Sequence, residues 1–409
     1  MELTNLEPLP ILVFSNLMMV AFLILLGRKS LGEPYTLRPW RRYLMIFTML
    51  VFCLFSFWGT DWFHYAEMYI NLVYMDGFNT SLEGVYYLIA NYLSPNYMVF
   101  RAIIWGSALY LLCLLFRHVS VRGDLLLVIF CALWLIDFGY GRIVLAYTMM
   151  YLGASVIMKP IRGKILLSIM IGGAMLVLSL FFHKTALFGF ALIILALFPR
   201  LLNKRTFLLV LIVYPFILLL VQLLLMQFMD TAVDASEHSS SFTVGQAYLN
   251  EDTKEIGSAY LLQLIIRYLP YYMVGWIAYK TNLYQPEEET EGDGESEKEE
   301  QAEVNKMADE DELTSISKSA PAEIRFFARL TVYVVLVSTI FLFDLGANTL
   351  NLYMRFLMYA FIPACVVLAW AWQHSFCMRL VRLTFLVGVA GTFYALLYSF
   401  YLAYLGVAE

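Results

Sequence analysis

The segment Phe181-Phe182-His183-Lys184-Thr185-Ala186 places a histidine–lysine pair between two uncharged apolar runs. These runs extend over residues 165–182 and 185–199. Because so little polar sequence separates them, the pattern predicts a tight hairpin of two membrane-spanning helices. His183 is then expected where a membrane helix meets water. An ionisable group is costly to keep at depth in a membrane, so His183 is either an interfacial anchor or part of a membrane-embedded site.

The composition of the whole chain agrees with a membrane protein. Of its 409 residues, 61% are hydrophobic and only 14% are charged, and the mean hydropathy is +0.72. Soluble domains carry about 25% charged residues. We therefore expect an all-α polytopic membrane protein.

Twelve apolar runs are candidates for spanning helices, because about 20 apolar residues cross the hydrocarbon core. They cover residues 8–27, 43–59, 97–116, 123–138, 141–158, 165–182, 185–199, 206–228, 258–279, 326–344, 352–373 and 383–405. This pattern predicts helices 1–9 in residues 1–285 and helices 10–12 in residues 323–409.

The segment between these two helical regions, residues 286–322, differs sharply in composition. Residues 286–313 alone hold 14 acidic residues and 2 lysines. Such a segment has too little apolar surface to fold by itself, so we expect a disordered cytoplasmic linker. Outside residues 286–313 the chain has 18 acidic and 25 basic residues, a net charge of +7, although the whole chain has a net charge of −5.

The distribution of arginine and lysine predicts the orientation, because short cytoplasmic loops are enriched in both. Alternation through twelve spans makes every basic loop cytoplasmic and leaves both termini outside. These loops carry Arg28, Lys29, Arg38, Arg41 and Arg42; Arg117 and Arg122; Lys159, Arg162 and Lys164; Arg200, Lys204 and Arg205; Lys280, Arg325 and Arg329; and Arg379 and Arg382.

The positions predicted to lie outside hold mostly single charges at helix ends. They are Asp61, His64, Arg101, Asp137, Arg142, His183, Lys184, Asp344 and Arg355. Positive charge outside runs against the orientation rule, which indicates that another requirement retains it. An outward-facing site is the functional hypothesis.

Two outside segments are longer than simple loops. Residues 61–96 contain Thr80-x-x-Glu83, with the spacing of a capping box. The apolar stripe Val85, Leu88, Ile89, Tyr92 and Leu93 follows it. This pattern predicts a short amphipathic helix on the outer membrane surface. Residues 229–257 form the second segment, which is either a lid over an outward cavity or a mobile loop.

Four arginines are candidates for binding an anionic group on the outer side: Arg101, Arg142, Arg267 and Arg355. A guanidinium grips phosphate or carboxylate with two parallel hydrogen bonds. Pro270 lies three residues after Arg267 and is expected to break that helix and open a polar pocket. The alternatives for each arginine are snorkelling to lipid headgroups and pairing with Asp61, Asp137 or Asp344.

Other kinds of site are not indicated. The sequence has no HExxH, CxxC, Walker or GxSxG element. The five cysteines, Cys53, Cys113, Cys131, Cys365 and Cys377, lie in or beside apolar runs without metal-ligand spacing. We expect no metal and no cofactor, so that catalysis would rest on histidine and arginine.

Four elements together resemble the EpsG family, the Wzy-type polymerases of bacterial capsules, exopolysaccharides and O-antigen. They are Gly59-Thr60-Asp61-Trp62-Phe63-His64-Tyr65, Gly141-Arg142-x-x-x-Ala146, Phe182-His183-Lys184-Thr185-Ala186 and the late Arg355. Ile143 stands where family members commonly carry glutamine, and the acidic segment resembles an insertion.

The resemblance implies a GT-C-like, metal-independent glycosyltransferase at the outer face of the bacterial cytoplasmic membrane. Its substrate would be an undecaprenyl-diphosphate-linked oligosaccharide, and a flippase and a chain-length regulator of the same pathway would be its partners in the lipid bilayer, with no nucleic acid. His183, Arg142 and Arg355 would then be catalytic, and Asp61, Arg101, Arg267 and Lys184 would bind substrate.

Two other classes remain open from the residues alone. A lipid-linked oligosaccharide flippase or another transporter would also line a cavity with arginines. An integral-membrane acyltransferase would also use a histidine.

Overall fold

The computed structural model describes residues 10–32, 37–55, 66, 69–70, 72–73, 84–138, 142–183, 186–197, 258–281, 283, 320–340 and 353–405. Every regular element within these residues is a helix. The all-α class predicted from the sequence is therefore confirmed. The predicted span 206–228, the outside segment 229–257 and nearly all of the linker 286–322 lie outside the described residues.

Nine helices occupy the first half of the chain as far as the structure describes it. They are α1 (Pro10–Gly27), α2 (Pro39–Phe55), α3 (Gly84–Leu88), α4 (Tyr97–His118), α5 (Gly123–Leu133), α6 (Leu135–Phe138), α7 (Arg142–Met158), α8 (Ile165–Phe182) and α9 (Ala186–Leu197). Short 3₁₀ turns follow α1 at Arg28–Leu31 and α7 at Ile161–Gly163, and a π-helical turn, Ile89–Leu93, continues α3.

Four helices follow in the described part of the second half. They are α10 (Ser258–Lys280), α11 (Ala322–Ile340), α12 (Phe361–Gln373) and α13 (Met378–Leu405). Helical residues 353–357 and the 3₁₀ turn Met358–Ala360 lead directly into α12.

Among the described residues, five helices are long and apolar enough to cross a membrane: Phe14–Leu31, Tyr97–His118, Ile165–Phe182, Tyr353–Gln373 and Met378–Tyr398. Shorter apolar helices cover Gly123–Leu133, Ile143–Met158 and Ala186–Leu197. These helices support a membrane-embedded protein. Eleven of the twelve predicted runs coincide with described helices, and the number of spans stays a prediction.

The centre of the bundle is the chain from residue 353 to residue 373. In Tyr353–Gln373 83% of the most apolar window is buried inside the protein, against 22% in Ile165–Phe182. Helices α5, α10, α11 and α13 all pack on α12, whereas α8 packs mainly on α7. Helix α8 therefore lies at the periphery, where its large apolar side chains are exposed and suited to contact lipid.

The basic loops predicted to be cytoplasmic, as far as the structure describes them, meet at one end of the bundle, called here the basic end. Arg122 donates from its guanidinium to the carbonyl of Ser30 (3.1 Å) and from its backbone N–H to the side chain of Gln373 (2.8 Å). The indole N–H of Trp372 donates to the carbonyl of Leu31 (2.9 Å). These bonds join the loops after α1, α4 and α12.

A buried carboxylate strengthens the basic end. Asp124 accepts from the guanidinium of Arg42 (2.6 Å) and from the backbone N–H of Leu37 (2.8 Å). The hydrogen bond from Arg42 to Asp124 raises the pKa of the Arg42 guanidinium above its ordinary value. Arg42 is therefore charged at every working pH, and the pair holds the start of α2 against the start of α5.

A second polar cluster at this end joins α11 to the rest. Lys159 donates to the hydroxyl of Ser120 (2.9 Å), and Ser120 donates to Glu323 (2.5 Å). Glu323 is nearly buried, and its carboxylate lies 3.7 Å from the Lys159 ammonium group. Because α11 begins at Ala322, before the predicted start at residue 326, this cluster fixes the first turn of that helix.

Two local features differ from the sequence prediction. The run 123–138, predicted as one helix, breaks at Trp134, whose φ of −125° and ψ of 2° end α5 before the short α6. The predicted surface helix exists as α3 and the following π turn, while Thr80 and Glu83 lie outside the described residues. Along α3 and the π turn, Tyr86, Ile89 and Ala90 are buried, while Leu88 and Tyr92 of the predicted stripe are exposed.

Candidate functional site

His183 ends α8 as the hairpin prediction required. Its backbone is extended, with φ −160° and ψ 119°. Its N–H donates to the carbonyl of Ser179 (3.1 Å), and its own carbonyl accepts from the N–H of Ala186 (2.9 Å). The side chain is half-buried. His183 therefore sits at the turn between α8 and α9, at the end of the bundle opposite the basic end; we call this the His183 end.

An apolar cavity of about 450 Å³ has Phe182, the residue before His183, in its wall. Its walls come from α3 and the π turn, from α4, from α7 and from the ring of Phe182, the residue before His183. The side chains of Val85, Ile89, Ile104, Leu145 and Met149 line it together with Phe182. Ser107 and Tyr110 are its two lining residues with a polar group in the side chain. The cavity lining therefore suits an apolar group such as a hydrocarbon chain.

Tyr86 fixes the ring of Phe182 in the cavity wall. The two rings meet edge to face with centroids 6.1 Å apart, a favourable arrangement for aromatic pairs. Tyr86 also contacts Phe100 of α4 edge to face, with centroids 6.4 Å apart. The helix that the sequence placed on the outer surface thus packs against the His183 turn and α4.

Arg355 reaches the same end of the bundle from another direction. It is exposed, and the ring of its neighbour Phe356 lies 5.9 Å from that of Phe188 in α9. Gly189 permits a close approach here, because a Cβ on it would lie 2.7 Å from Met150 and 2.8 Å from Tyr359. The first turn of α9 therefore packs on residues 356–359.

A buried ion pair joins α6 to α10 towards the same end. Arg267 donates from Nη2 to Oδ1 of Asp137, and the hydroxyl of Tyr271 donates to Oδ2 of Asp137 (3.0 Å). The side chains of Arg267 and Asp137 are only 8% and 2% exposed. Removing one partner of such a buried pair typically destabilises a protein by about 3–5 kcal/mol.

Tyrosines connect this ion pair to the segment that carries Arg355. The guanidinium of Arg267 lies 5.4 Å from the ring centroid of Tyr268, within the range of a cation–π contact. The ring of Tyr268 meets that of Tyr353 edge to face at 6.0 Å. Tyr353 also lies beside the hydroxyl of Tyr272. A chain of cation–π and aromatic contacts thus runs from the Asp137–Arg267 pair to Tyr353, two residues before Arg355.

Arg101 has a different position, between α2 and α4. Its guanidinium donates to the carbonyl of Cys53 (2.5 Å) and to the hydroxyl of Tyr97 (3.1 Å). It also lies 4.3 Å from the ring centroid of Trp105. A cation is favourable beside the last carbonyls of a helix, so these contacts hold the end of α2, which precedes the segment with Asp61.

The structure brings several of the predicted site residues to the His183 end. His183, Arg355 and Arg267 are described with their side chains, and Arg142 begins α7, with its side chain outside the described part. Asp61 and Lys184 lie outside the described residues. Arg267 contacts Asp137, one of the partners that the sequence offered as an alternative to substrate.

Sequence reasoning missed the tyrosines that surround this end, Tyr268, Tyr271, Tyr272 and Tyr353. The sequence signals them, since Arg267-Tyr268-Leu269-Pro270-Tyr271-Tyr272 holds three tyrosines around a proline in a predicted spanning helix. Tyrosine combines an apolar ring with a hydrogen-bonding hydroxyl, so it can join a polar cluster inside an apolar bundle.

The chemistry available at this end is acid–base and electrostatic. Within the described part of the chain no group of three or more His, Cys, Asp or Glu side chains is arranged to hold a metal ion. Comparison of the chain with protein-family models, with curated proteins and with solved structures finds no match in any of the three.

Proposed function

We propose that the chain is a GT-C-like membrane glycosyltransferase that joins undecaprenyl-diphosphate-linked oligosaccharide repeat units into a polysaccharide. The observation that carries the proposal is the neighbourhood of His183: the ring of Phe182 lines an apolar cavity, and Arg355, Arg267 and the start of α7 approach the same end of the bundle. The substrate has matching parts, a long hydrocarbon chain, a diphosphate and a sugar.

The apolar cavity would hold part of the lipid chain. Its lining is almost entirely hydrocarbon, from Val85, Ile89, Leu93, Leu145 and Phe182. Burying apolar surface there stabilises the complex by about 25 cal/mol per Å². The lipid would enter from the bilayer, and its diphosphate would lie beyond Phe182, beside His183.

Arg142 and Arg355 would bind the diphosphate. Arg355 is exposed at the His183 end, and Arg142 is the first residue of α7. Negative charge grows on the leaving diphosphate as its bond to the sugar breaks. Fixed guanidinium groups aimed at that charge stabilise the transition state more than the ground state, which is the requirement for catalysis.

His183 would act as the general base. The hydroxyl oxygen of the incoming repeat unit attacks the anomeric carbon of the growing chain and forms the new glycosidic bond. The bond from that carbon to the diphosphate breaks, and undecaprenyl diphosphate leaves with the electron pair. The proton of the attacking hydroxyl passes to a ring nitrogen of His183. This glycosyl transfer needs no oxidant and no cofactor.

The proposal also assigns a location. Twelve spans with the basic end in the cytoplasm put His183 at the outer face of the bacterial cytoplasmic membrane. Repeat units reach that face through a flippase, and a chain-length regulator of the same pathway is the expected neighbour in the bilayer.

Deletion of the gene tests this proposal. A polymerase-deficient strain accumulates single lipid-linked repeat units at the outer face and makes no long chains. Accumulation of the same units at the cytoplasmic face would instead identify the protein as the flippase. Unchanged long chains would contradict the proposal.

A further inference from the structure

We infer that Arg267 is a positioning residue that acts on the site through Asp137 rather than on the substrate. This inference rests on the proposed function. Its basis is the buried contact in which Arg267 and Tyr271, one helical turn apart on α10, donate to the two carboxylate oxygens of Asp137. A carboxylate held at both oxygens by one helix is fixed in place.

Asp137 lies shortly before the first turn of α7, which carries Arg142. Helix α5 ends at Leu133, and the four-residue α6 that follows ends at Phe138. The next described residue is Arg142, the start of α7. A chain extends at most about 3.6 Å per residue, so Arg142 lies within about 14 Å of Phe138. Fixing Asp137 therefore limits where the first turn of α7 can lie.

Helix α10 is a rigid support for this constraint. At Gly391, helix α13 lies so close that a Cβ would come within 2.8 Å of the carbonyl oxygen of Ile266 and 3.1 Å of Cα of Arg267. The ring of Trp134, at the break between α5 and α6, lies 5.7 Å from that of Tyr271. The position of α6 is thus set by α10, and that of α10 by α13.

The two roles for Arg267 differ in kinetics. A substrate ligand contributes to binding, so its loss raises KM. A positioning residue keeps the reacting groups aligned, and a displacement of about 1 Å costs about 100-fold in turnover. Because Arg267 and Asp137 act as one unit, the fold-decreases in kcat that follow from replacing each of them should not multiply in the double variant.

The kinetic arm uses the full chain in proteoliposomes, with lipid-linked repeat units extracted from the deletion strain. The variants are Asp137→Asn, Arg267→Gln and the double variant. We expect each single variant to lower kcat about 100-fold with little change in KM. The double variant should be no slower than the slower single variant. Losses that multiply to about 10⁴-fold, or a raised KM in Arg267→Gln, would overturn the inference.

The double variant also protects the test against misfolding. Each single variant leaves one buried charge unpaired, which lowers the stability of the folded protein. The double variant buries no charge, and its two amides retain hydrogen-bonding groups for each other and for Tyr271. A double variant that is present at the wild-type level but raises KM would show that Arg267 meets the substrate.

A spectroscopic arm needs no substrate. Spin labels are attached to cysteines at Ile143 in α7 and Leu262 in α10, in a chain whose partly exposed Cys113 and Cys377 are replaced by alanine. We expect Asp137→Asn to shift or broaden the distance distribution between the labels. Asp124→Asn is the control, because it removes the charge of a buried carboxylate that pairs with an arginine, Arg42, at the basic end. It should leave the distance distribution unchanged.

This second arm separates the two proposals. If the chain proves not to be a polymerase, a shifted distribution in Asp137→Asn alone still supports the positioning role of the pair. An unchanged distribution in Asp137→Asn, or an equal shift in Asp124→Asn, overturns that role even if polymerisation is demonstrated.

Discussion

The ring of Phe188 lies 5.9 Å from the ring of Phe356, so the helix that begins after His183 packs on the residue that follows Arg355. This contact brings together two parts of the chain that the sequence could relate only by their predicted side of the membrane. It gives the proposed base and one of the proposed diphosphate ligands a common support.

His183→Gln should abolish polymer formation while lipid-linked substrate still binds. Glutamine keeps some hydrogen bonding but cannot accept a proton near neutral pH, and loss of a general base typically lowers the rate by about 10²- to 10⁴-fold. Turnover and substrate binding are measured separately in proteoliposomes. His374→Gln is the control, since His374 is exposed beside Trp370 at the basic end. Equal activity of the two variants would remove His183 from the mechanism.

Arg142→Lys and Arg355→Lys should each reduce activity steeply and leave membrane levels unchanged. Lysine keeps the charge but cannot form two parallel hydrogen bonds to a diphosphate. Arg117→Lys, at an exposed arginine of the basic end, serves as the control and should retain activity. Arginines that only snorkel to headgroups tolerate lysine, so near-normal chain lengths in both site variants would show that neither grips the diphosphate.

Ser107→Trp should weaken substrate binding by filling the apolar cavity. Ser107 is exposed and lines the cavity wall on α4, so the indole ring takes up volume without displacing the packed core. We expect KM to rise while the melting temperature stays close to that of the wild type. Gly173→Trp is the control, because within the described residues a Cβ at Gly173 meets nothing within 4 Å. A KM unaffected by Ser107→Trp would exclude the cavity as the lipid site.

Gly172→Ala should lower the stability of the α7–α8 pair. A Cβ on Gly172 would lie 2.5 Å from the carbonyl oxygen of Gly153 and 2.6 Å from Cγ1 of Ile157. Such crowding typically costs about 1–3 kcal/mol. Gly173→Ala is a control at the adjacent residue, where Cβ has open space and alanine favours the helix by about 1 kcal/mol. Melting temperatures of the purified variants should therefore fall for the first and not for the second. The opposite order would show that α8 does not pack on α7 in this way.

Cysteine accessibility tests the orientation. Pro95→Cys lies between the π turn and α4, towards the His183 end, and Lys164→Cys is exposed at the basic end. In a chain with Cys113 and Cys377 replaced by alanine, an impermeant thiol reagent applied to spheroplasts should label position 95 and not position 164. Labelling at 164 without lysis would reverse the topology and move His183 to the cytoplasm.

The helices could be predicted from the sequence because hydrophobicity determines which segments enter a bilayer and loop charge indicates their orientation. A run of about 20 consecutive apolar residues has the length of a spanning helix, and a helix satisfies all of its own backbone hydrogen bonds in the bilayer. The extended His183 between α8 and α9, and the meeting of Arg122 with Ser30 and Gln373, follow from this alternation.

The side-chain contacts inside the candidate site could not be predicted from the sequence in the same way. Asp137 and Arg267 are 130 residues apart in the chain, and the sequence offered three acidic partners for the arginines. The break at Trp134 carries no proline or glycine signal, because it depends on contacts with Tyr271 and α13. The predicted stripe is likewise only partly buried: Ile89 is buried together with Ala90, which is not in the stripe, whereas Leu88 and Tyr92 are exposed. A pattern at the α-helical period does not encode the π turn that begins at Ile89.

Lengthening of glycan chains by the purified protein tests the central claim most directly. The full chain is reconstituted in vesicles with lipid-linked repeat units extracted from the deletion strain and no other protein. Our account predicts a ladder of chains that grow by one repeat unit at a time, with release of undecaprenyl diphosphate, and no ladder with His183→Gln. Repeat units that cross the vesicle membrane without lengthening would contradict the account.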